Sequence, residues 1–137
     1  LEENAARFRA RAARAEKLLD EVIDYSPFPT DTEIAGVRVT ALNTPRKLLD
    51  EGYAMKHCVG GEQFRSAMRK RQALYFHLEL EERSTLEIQR RGARYLIGQH
   101  CGPCNQRPSA GMQHVASILL NNSLKAAHAT QTERGEG

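Results

Sequence analysis

The chain has no tryptophan and only 6% aromatic residues, so it offers little for stacking against bases. No apolar run approaches the length of a membrane span, and the amino terminus is rich in Arg, Ala and Glu where a signal peptide would be apolar. A cytoplasmic protein with no membrane partner is therefore expected. Cysteine is also scarce. Three residues, an odd number without a secretory signal, argue against a disulfide framework and for reduced thiols or metal ligands. Neither sign of charge dominates, with 20 Lys and Arg against 17 Asp and Glu. With 40% hydrophobic and 27% charged residues the composition is that of a globular protein, which excludes disordered and fibrous classes. A chain of 137 residues suits one compact domain with a peripheral arm and can bury most of its apolar surface. Because it begins at Leu1 rather than Met, we expect a piece of a longer protein.

What is present is well patterned. Phe8, Ala12, Ala15, Leu19, Val22 and Ile23 recur at helical spacing and predict one helix over the first 24 residues, ended by Pro27 and Pro29. Residues 25–36 read as a linker or an irregular wrap. Val37 to Leu42 alternates β-branched residues and predicts a short strand. Asn43 or Thr44 then offers a cap, with Pro45 at the first helical position, and Glu62 to Arg71 predicts a further helix behind Gly60 and Gly61. Leu74, Phe76, Leu78 and Leu80 alternate with polar residues, as do Leu86 and Ile88. A turn at Glu82-Arg83-Ser84 would pair Leu80 with Leu86 and set Glu79 opposite Glu87. Arg91-Gly92 turns into a third strand, and Met112, Val115, Ile118 and Leu119 give a helix over 110–126 the apolar face to cover the sheet. The expected class is α+β: an N-terminal helix, a short strand and two helices, then a three-stranded antiparallel meander covered by a C-terminal helix. The expected division is an arm and linker over 1–36, an α+β domain over 37–128 and a disordered tail over 129–137.

Chemistry concentrates in three places: His57-Cys58-Val59-Gly60, Thr85-Leu86-Glu87, and Gln99-His100-Cys101-Gly102-Pro103-Cys104-Asn105. Cys58 near a helix amino terminus is a candidate nucleophile. Its general base would come from elsewhere, with His77 and His100 the candidates, because adjacent side chains diverge. The alternative is a small buried thiol beside a hydrogen-bonded His. Cys101 and Cys104 copy the spacing of a redox pair but lack the strand-to-helix context. His57, Cys58, Cys101 and Cys104 could instead hold zinc if their loops meet, whereas no other cofactor is expected. Glu87, alone between Leu86 and Ile88 on a central strand, is the candidate acid-base or ligand-orienting group. Gln99 and Asn105 can position a base, a phosphate or an amide, or simply satisfy loop backbone. Between residues 65 and 107 nine basic residues face four acidic ones; Arg65, Arg69, Lys70, Arg71, Arg90, Arg91 and Arg94 are the candidate phosphate contacts, with a solvated basic face as the alternative.

At these residues the chain resembles the PcfJ-like proteins, a family found on conjugative plasmids, phages and related mobile elements. The resemblance rests on Gly52 and Met55 before His57-Cys58-Val59-Gly60, then Thr85-Leu86-Glu87, then Gln99, Gly102, Asn105 and Pro108, and it covers residues 44–120. It implies that His57, Cys58, Glu87, Gln99 and Asn105 form one constellation. Cys101 and Cys104 fall at variable places of that pattern, and Gly61-Glu62-Gln63-Phe64 stands where the family usually continues to a Tyr.

Three functions fit these residues. One is a mobile-element domain whose polar site acts on or with nucleic acid or a nucleotide, as a metal-independent hydrolase or transferase, since Glu87 alone would hold magnesium poorly. Another is a non-catalytic module that binds nucleic acid, a protein partner or other domains of a longer parent chain, with His57 and Cys58 structural or zinc-bound. The third is a Cys58-dependent hydrolase.

Overall fold

Period-two alternation in the middle of the chain forms the centre of an antiparallel sheet. In the computed structural model the backbone of residues 2–136 is described, together with every side chain in that range except those of Glu2, Cys58 and residues 129–136. Helix α1 spans Glu2–Leu19, and strands β1 (Asp31–Ile34) and β2 (Val37–Ala41) form a hairpin through Gly36, whose φ of 83° favours glycine. Helix α2 (Pro45–Met55), a 3-10 turn at Cys58–Gly60 and helix α3 (Glu62–Arg69) lead into β3 (Ala73–Glu79), β4 (Arg83–Arg91) and β5 (Arg94–Cys101). A second 3-10 turn, Pro103–Asn105, precedes helix α4 (Ala110–Glu136). The sheet runs in sequence order, β1-β2-β3-β4-β5. The class is thus α+β as expected, with five strands where a meander of three and one separate strand were expected.

Both faces of the sheet are covered at its centre, so Ala73 to Phe76 of β3 and Ser84 to Ile88 of β4 are buried. On one face Leu74, Phe76, Leu78, Leu86 and Ile88 join Val37, Val39 and Ala41, and Tyr25, Phe28, Met112, Val115 and Leu119 close over them. Phe28 packs on Phe76 and edge-on against Tyr95, which is why the chain after α1 is tied to the sheet. The opposite face carries Tyr75, His77, Thr85 and Glu87 and is covered by α2, α3 and the turn between them.

Several expectations need correction. The first helix stops at Leu19 rather than near residue 24: Ile23 leaves it to bury its side chain and to donate its N–H to the Asn43 carbonyl at 2.8 Å. Residues 25–36, expected as a linker or an irregular wrap, put Tyr25 and Phe28 into the core and end in a strand, β1, that pairs with β2. The β3–β4 turn lies at Leu80-Glu81-Glu82, so Phe76 pairs with Leu86, Glu79 faces Arg83 and Glu87 faces Tyr75. That register exposes Leu80 but avoids opposing two carboxylates. The backbone of α4 stays helical to Glu136, past the expected end near 126. No proline follows Pro108, and Ala, Gln, Glu and Arg sustain a helix.

Candidate functional site

The turn bearing His57 is set by two glycines. A Cβ on Gly52 would lie 2.8 Å from the Gly60 nitrogen, and one on Gly60 would lie 3.0 Å from the Leu49 Cα, so only glycine lets the turn lie flat on α2. Met55, fully buried, anchors the end of that helix, and Lys56 closes it in the left-handed conformation (φ 54°). His57 then comes off the helix towards β4.

Glu87 is placed by a bulge. Leu86 pairs with His100 and Ile88 with Ile97, which leaves Gly98 and Gln99 together opposite Glu87. The carboxylate lies in the space a side chain at 98 would fill: a Cβ there would collide with Glu87 Oε1 and stand 2.8 Å from Gln89 Nε2. Tyr75 donates its hydroxyl to Glu87 Oε2 at 3.0 Å, Gln89 donates to Oε1 at 2.9 Å, and the Gln99 N–H approaches Oε1 at 3.4 Å. Burial and the neighbouring carboxylate hold the Tyr75 phenol protonated far above its ordinary range.

A narrow cleft with about 20 Å³ of free volume opens over this carboxylate, lined by His57, Val59, Tyr75, Thr85, Glu87, Gln99, Cys101 and Asn105. Four of the sequence candidates, His57, Glu87, Gln99 and Asn105, therefore meet at one place. Glu87 is at the buried floor, His57 is half-buried, and Gln99 and Asn105 stand exposed at the rim. Asn105 and Cys104 both have left-handed backbones (φ 61° and 56°), a conformation Asn tolerates better than most residues. Cys101 lines the cleft, while Cys104 is an exposed free thiol. The Cys58 side chain lies outside the described residues. Of its two candidate bases, His100 is on the far face of the sheet, bonded to Ser84 Oγ at 2.8 Å. Burial there pushes its pKa down to about 4. Among the described residues no group of three or more His, Cys, Asp or Glu is arranged to hold a metal ion.

Sequence reasoning missed Glu51. Buried on α2, it accepts the Thr85 hydroxyl at 2.6 Å and faces His77 Nδ1 at 2.7 Å through the same oxygen. His77 Nε2 meets Glu79 at 3.0 Å. The hydrogen bond to Glu51 is the main reason the His77 pKa is raised, and burial opposes it. His57 Nε2 lies 2.9 Å from Thr85 Oγ1, and burial lowers the pKa of its ring. The only signal for Glu51 is an acid one turn after Leu48, on the apolar side of α2; the same spacing occurs in many solvated helices.

The basic candidates divide. Arg65 and Arg69 both pair with Glu62, at 3.2 and 2.7 Å. Lys70, Arg71, Arg90, Arg91 and Arg94 are exposed and gather at one end of the sheet, where Ala73 pairs with Gln89 and Arg91 with Arg94. Arg91 and Glu87 share a face of β4, about 13 Å apart along the strand. Between them runs a chain in which Arg91 donates to Gln89 at 3.1 Å and Gln89 donates to Glu87.

Fold and cleft together define a small α+β domain with a polar pocket on the helix-covered side of its sheet. The family model of the PcfJ-like proteins matches residues 3–116, and the chain belongs to that family. No curated protein and no solved structure matches it. Among the described residues no helix is long and apolar enough to cross a membrane.

Proposed function

We propose that this PcfJ-like domain acts on nucleic acid or a nucleotide in a mobile-element setting in the cytoplasm, as a metal-independent hydrolase or transferase centred on Glu87. The observation that carries this reading is the convergence of three separate segments, through His57, Glu87, Gln99 and Asn105, on one cleft. One carboxylate among an imidazole and two amides is a donor set for proton transfer and hydrogen bonding, and a poor cage for magnesium. Glu87 takes or orients a proton on the bound group, while the rim amides of Gln99 and Asn105 recognise a base edge or a phosphate oxygen. The exposed arginines at the end of the sheet, Arg91 and Arg94 on the same face as the cleft, hold neighbouring phosphates.

The test is fluorescence anisotropy with labelled single-stranded and duplex DNA and RNA at several salt concentrations, followed by a search for cleavage or transfer products with the wild type and Glu87→Gln. Salt-sensitive binding, with turnover lost in Glu87→Gln, supports the reading. Absence of binding at low salt refutes it.

A second reading is favoured by the three donors that already hold Glu87, which suit a structural carboxylate as well as a reactive one. The domain is then a binding module for nucleic acid or protein, with Glu87 bracing the bulge and with zinc on His57, Cys58, Cys101 and Cys104 as its metal-dependent form. Binding that survives Glu87→Gln without any turnover, or stoichiometric zinc in the purified protein, selects it.

A further inference from the structure

A threonine hydroxyl has a single proton. At Thr85 that proton goes to Glu51 Oε2, 2.6 Å away, so only lone pairs remain to face His57 Nε2 at 2.9 Å. His57 Nε2 must therefore carry hydrogen. On the other side of the ring, Nδ1 accepts the Val59 N–H at 3.4 Å and so carries none. The imidazole is left as the neutral Nε2–H tautomer.

We propose that Glu51, which is not among the residues lining the cleft, is a positioning residue that dictates through the Thr85 hydroxyl which nitrogen of His57 holds the proton. Its significance for function rests on the reading of the cleft as the working site. Glu51 is oriented in turn: His77 places Nδ1 on the same carboxylate oxygen at 2.7 Å and Nε2 on Glu79 at 3.0 Å. The chain of bonds crosses α2, β3 and β4, so three elements impose the tautomer at Nε2, and the long Val59 N–H bond of the local turn adds to it at Nδ1. An imidazole with this proton placement serves as a neutral hydrogen-bond donor at Nε2. That proton is already given to Thr85 Oγ1, so an oxygen acceptor of a phosphate or a carbonyl has to share it with the threonine or displace it, and a cation finds no lone pair at Nε2.

Long-range proton–nitrogen correlation NMR of the imidazole rings, on the full chain above pH 7, tests the assignment. The wild type should show His57 protonated at Nε2 and bare at Nδ1. Thr85→Val, with no acceptor, should relax the ring to a mixture of the two tautomers, and Thr85→Ser should restore the wild-type pattern. Glu51→Leu frees the Thr85 proton to point at His57 and should raise the Nδ1–H population, whereas Glu51→Gln keeps an acceptor oxygen and should not. Should Glu51→Leu fail to fold, the Thr85 pair still decides. An Nδ1–H ring in the wild type, or a His57 pattern unmoved by Thr85→Val, overturns the proposal. No readout here involves nucleic acid, so a wild type that binds none would sink the proposed function and leave this result intact.

Discussion

The two faces of the sheet are built from alternate residues of the same strands, yet they are stabilised in different ways. Phe76 and Leu86 point to the side closed by Tyr25, Phe28 and α4, where apolar contact predominates beside the hydrogen bonds of Tyr25 and of the Ser84–His100 pair. Tyr75, Thr85 and Glu87, one position away, point to the side closed by α2 and α3, where the polar side-chain atoms of all three are hydrogen-bonded. Apolar packing tolerates small displacements at a cost graded by volume. A satisfied polar network does not, because a lost partner leaves a desolvated group behind. The first face therefore sets stability, and the second fixes the geometry of the cleft.

The largest expected effect lies on the apolar face. Phe76→Ala should lower the unfolding free energy by about 3–5 kcal/mol in chemical denaturation, from lost burial and the cavity left among Tyr25, Phe28 and Leu86. On the polar face Gly98→Ala adds only a methyl group, but it drives the Glu87 carboxylate out of its place. A loss of about 1–3 kcal/mol is expected, together with loss of any ligand binding that depends on Glu87. Equal stability of Gly98→Ala and wild type would break the comparison.

The histidines sharpen it through pH. His100, buried on the apolar face with its pKa near 4, binds its proton more readily once unfolded, so stability should fall as pH drops from about 6.5 towards 4. The His57 pKa is lowered by burial too and has the same sign. His77, raised chiefly by Glu51, contributes stability that is complete below about pH 6.5 and is lost as pH rises through its folded value. Denaturation curves across pH 4–9 should lose part of the acid limb in His100→Gln and part of the limb above neutrality in His77→Gln. The smallest change in stability is expected for Arg91→Ala, within about 0.5 kcal/mol, although the salt dependence of nucleic-acid binding should fall by about one unit of slope.

Much of this fold was legible because alternation is a strong signal. Leu74, Phe76 and Leu78 marked β3, and Leu86 and Ile88 marked β4, with their buried faces correctly paired. The register was not legible, since sliding β4 by four positions leaves every side chain on its own face and moves only the turn. Strand β1 went unseen because Asp31-Thr32-Glu33-Ile34 is a short edge strand with a single large apolar residue. Helix α1 was read too long because Ile23 continues its spacing, although the described side chains of that helix are nearly all exposed. In the cleft, His57 stood out as an imidazole beside a thiol and Glu87 as the lone charge between Leu86 and Ile88. Glu51 did not, sitting beside Asp50 in a helix that also carries ordinary solvated charge. The glycines at 52, 60 and 98 were visible as letters, but their purpose, the close approach of a turn and of a carboxylate, exists only in three dimensions.

Under the proposed function, segments 57–60, 85–89 and 99–105 act as one site. The most direct measurement is a titration of the nitrogen-labelled protein with a short single-stranded oligonucleotide, followed by amide NMR. Resonances of all three segments should shift together, with one dissociation constant shared by His57, Glu87, Gln99 and Asn105. Shifts confined to the arginines at the far end of the sheet, with these four residues unmoved at saturation, would contradict it.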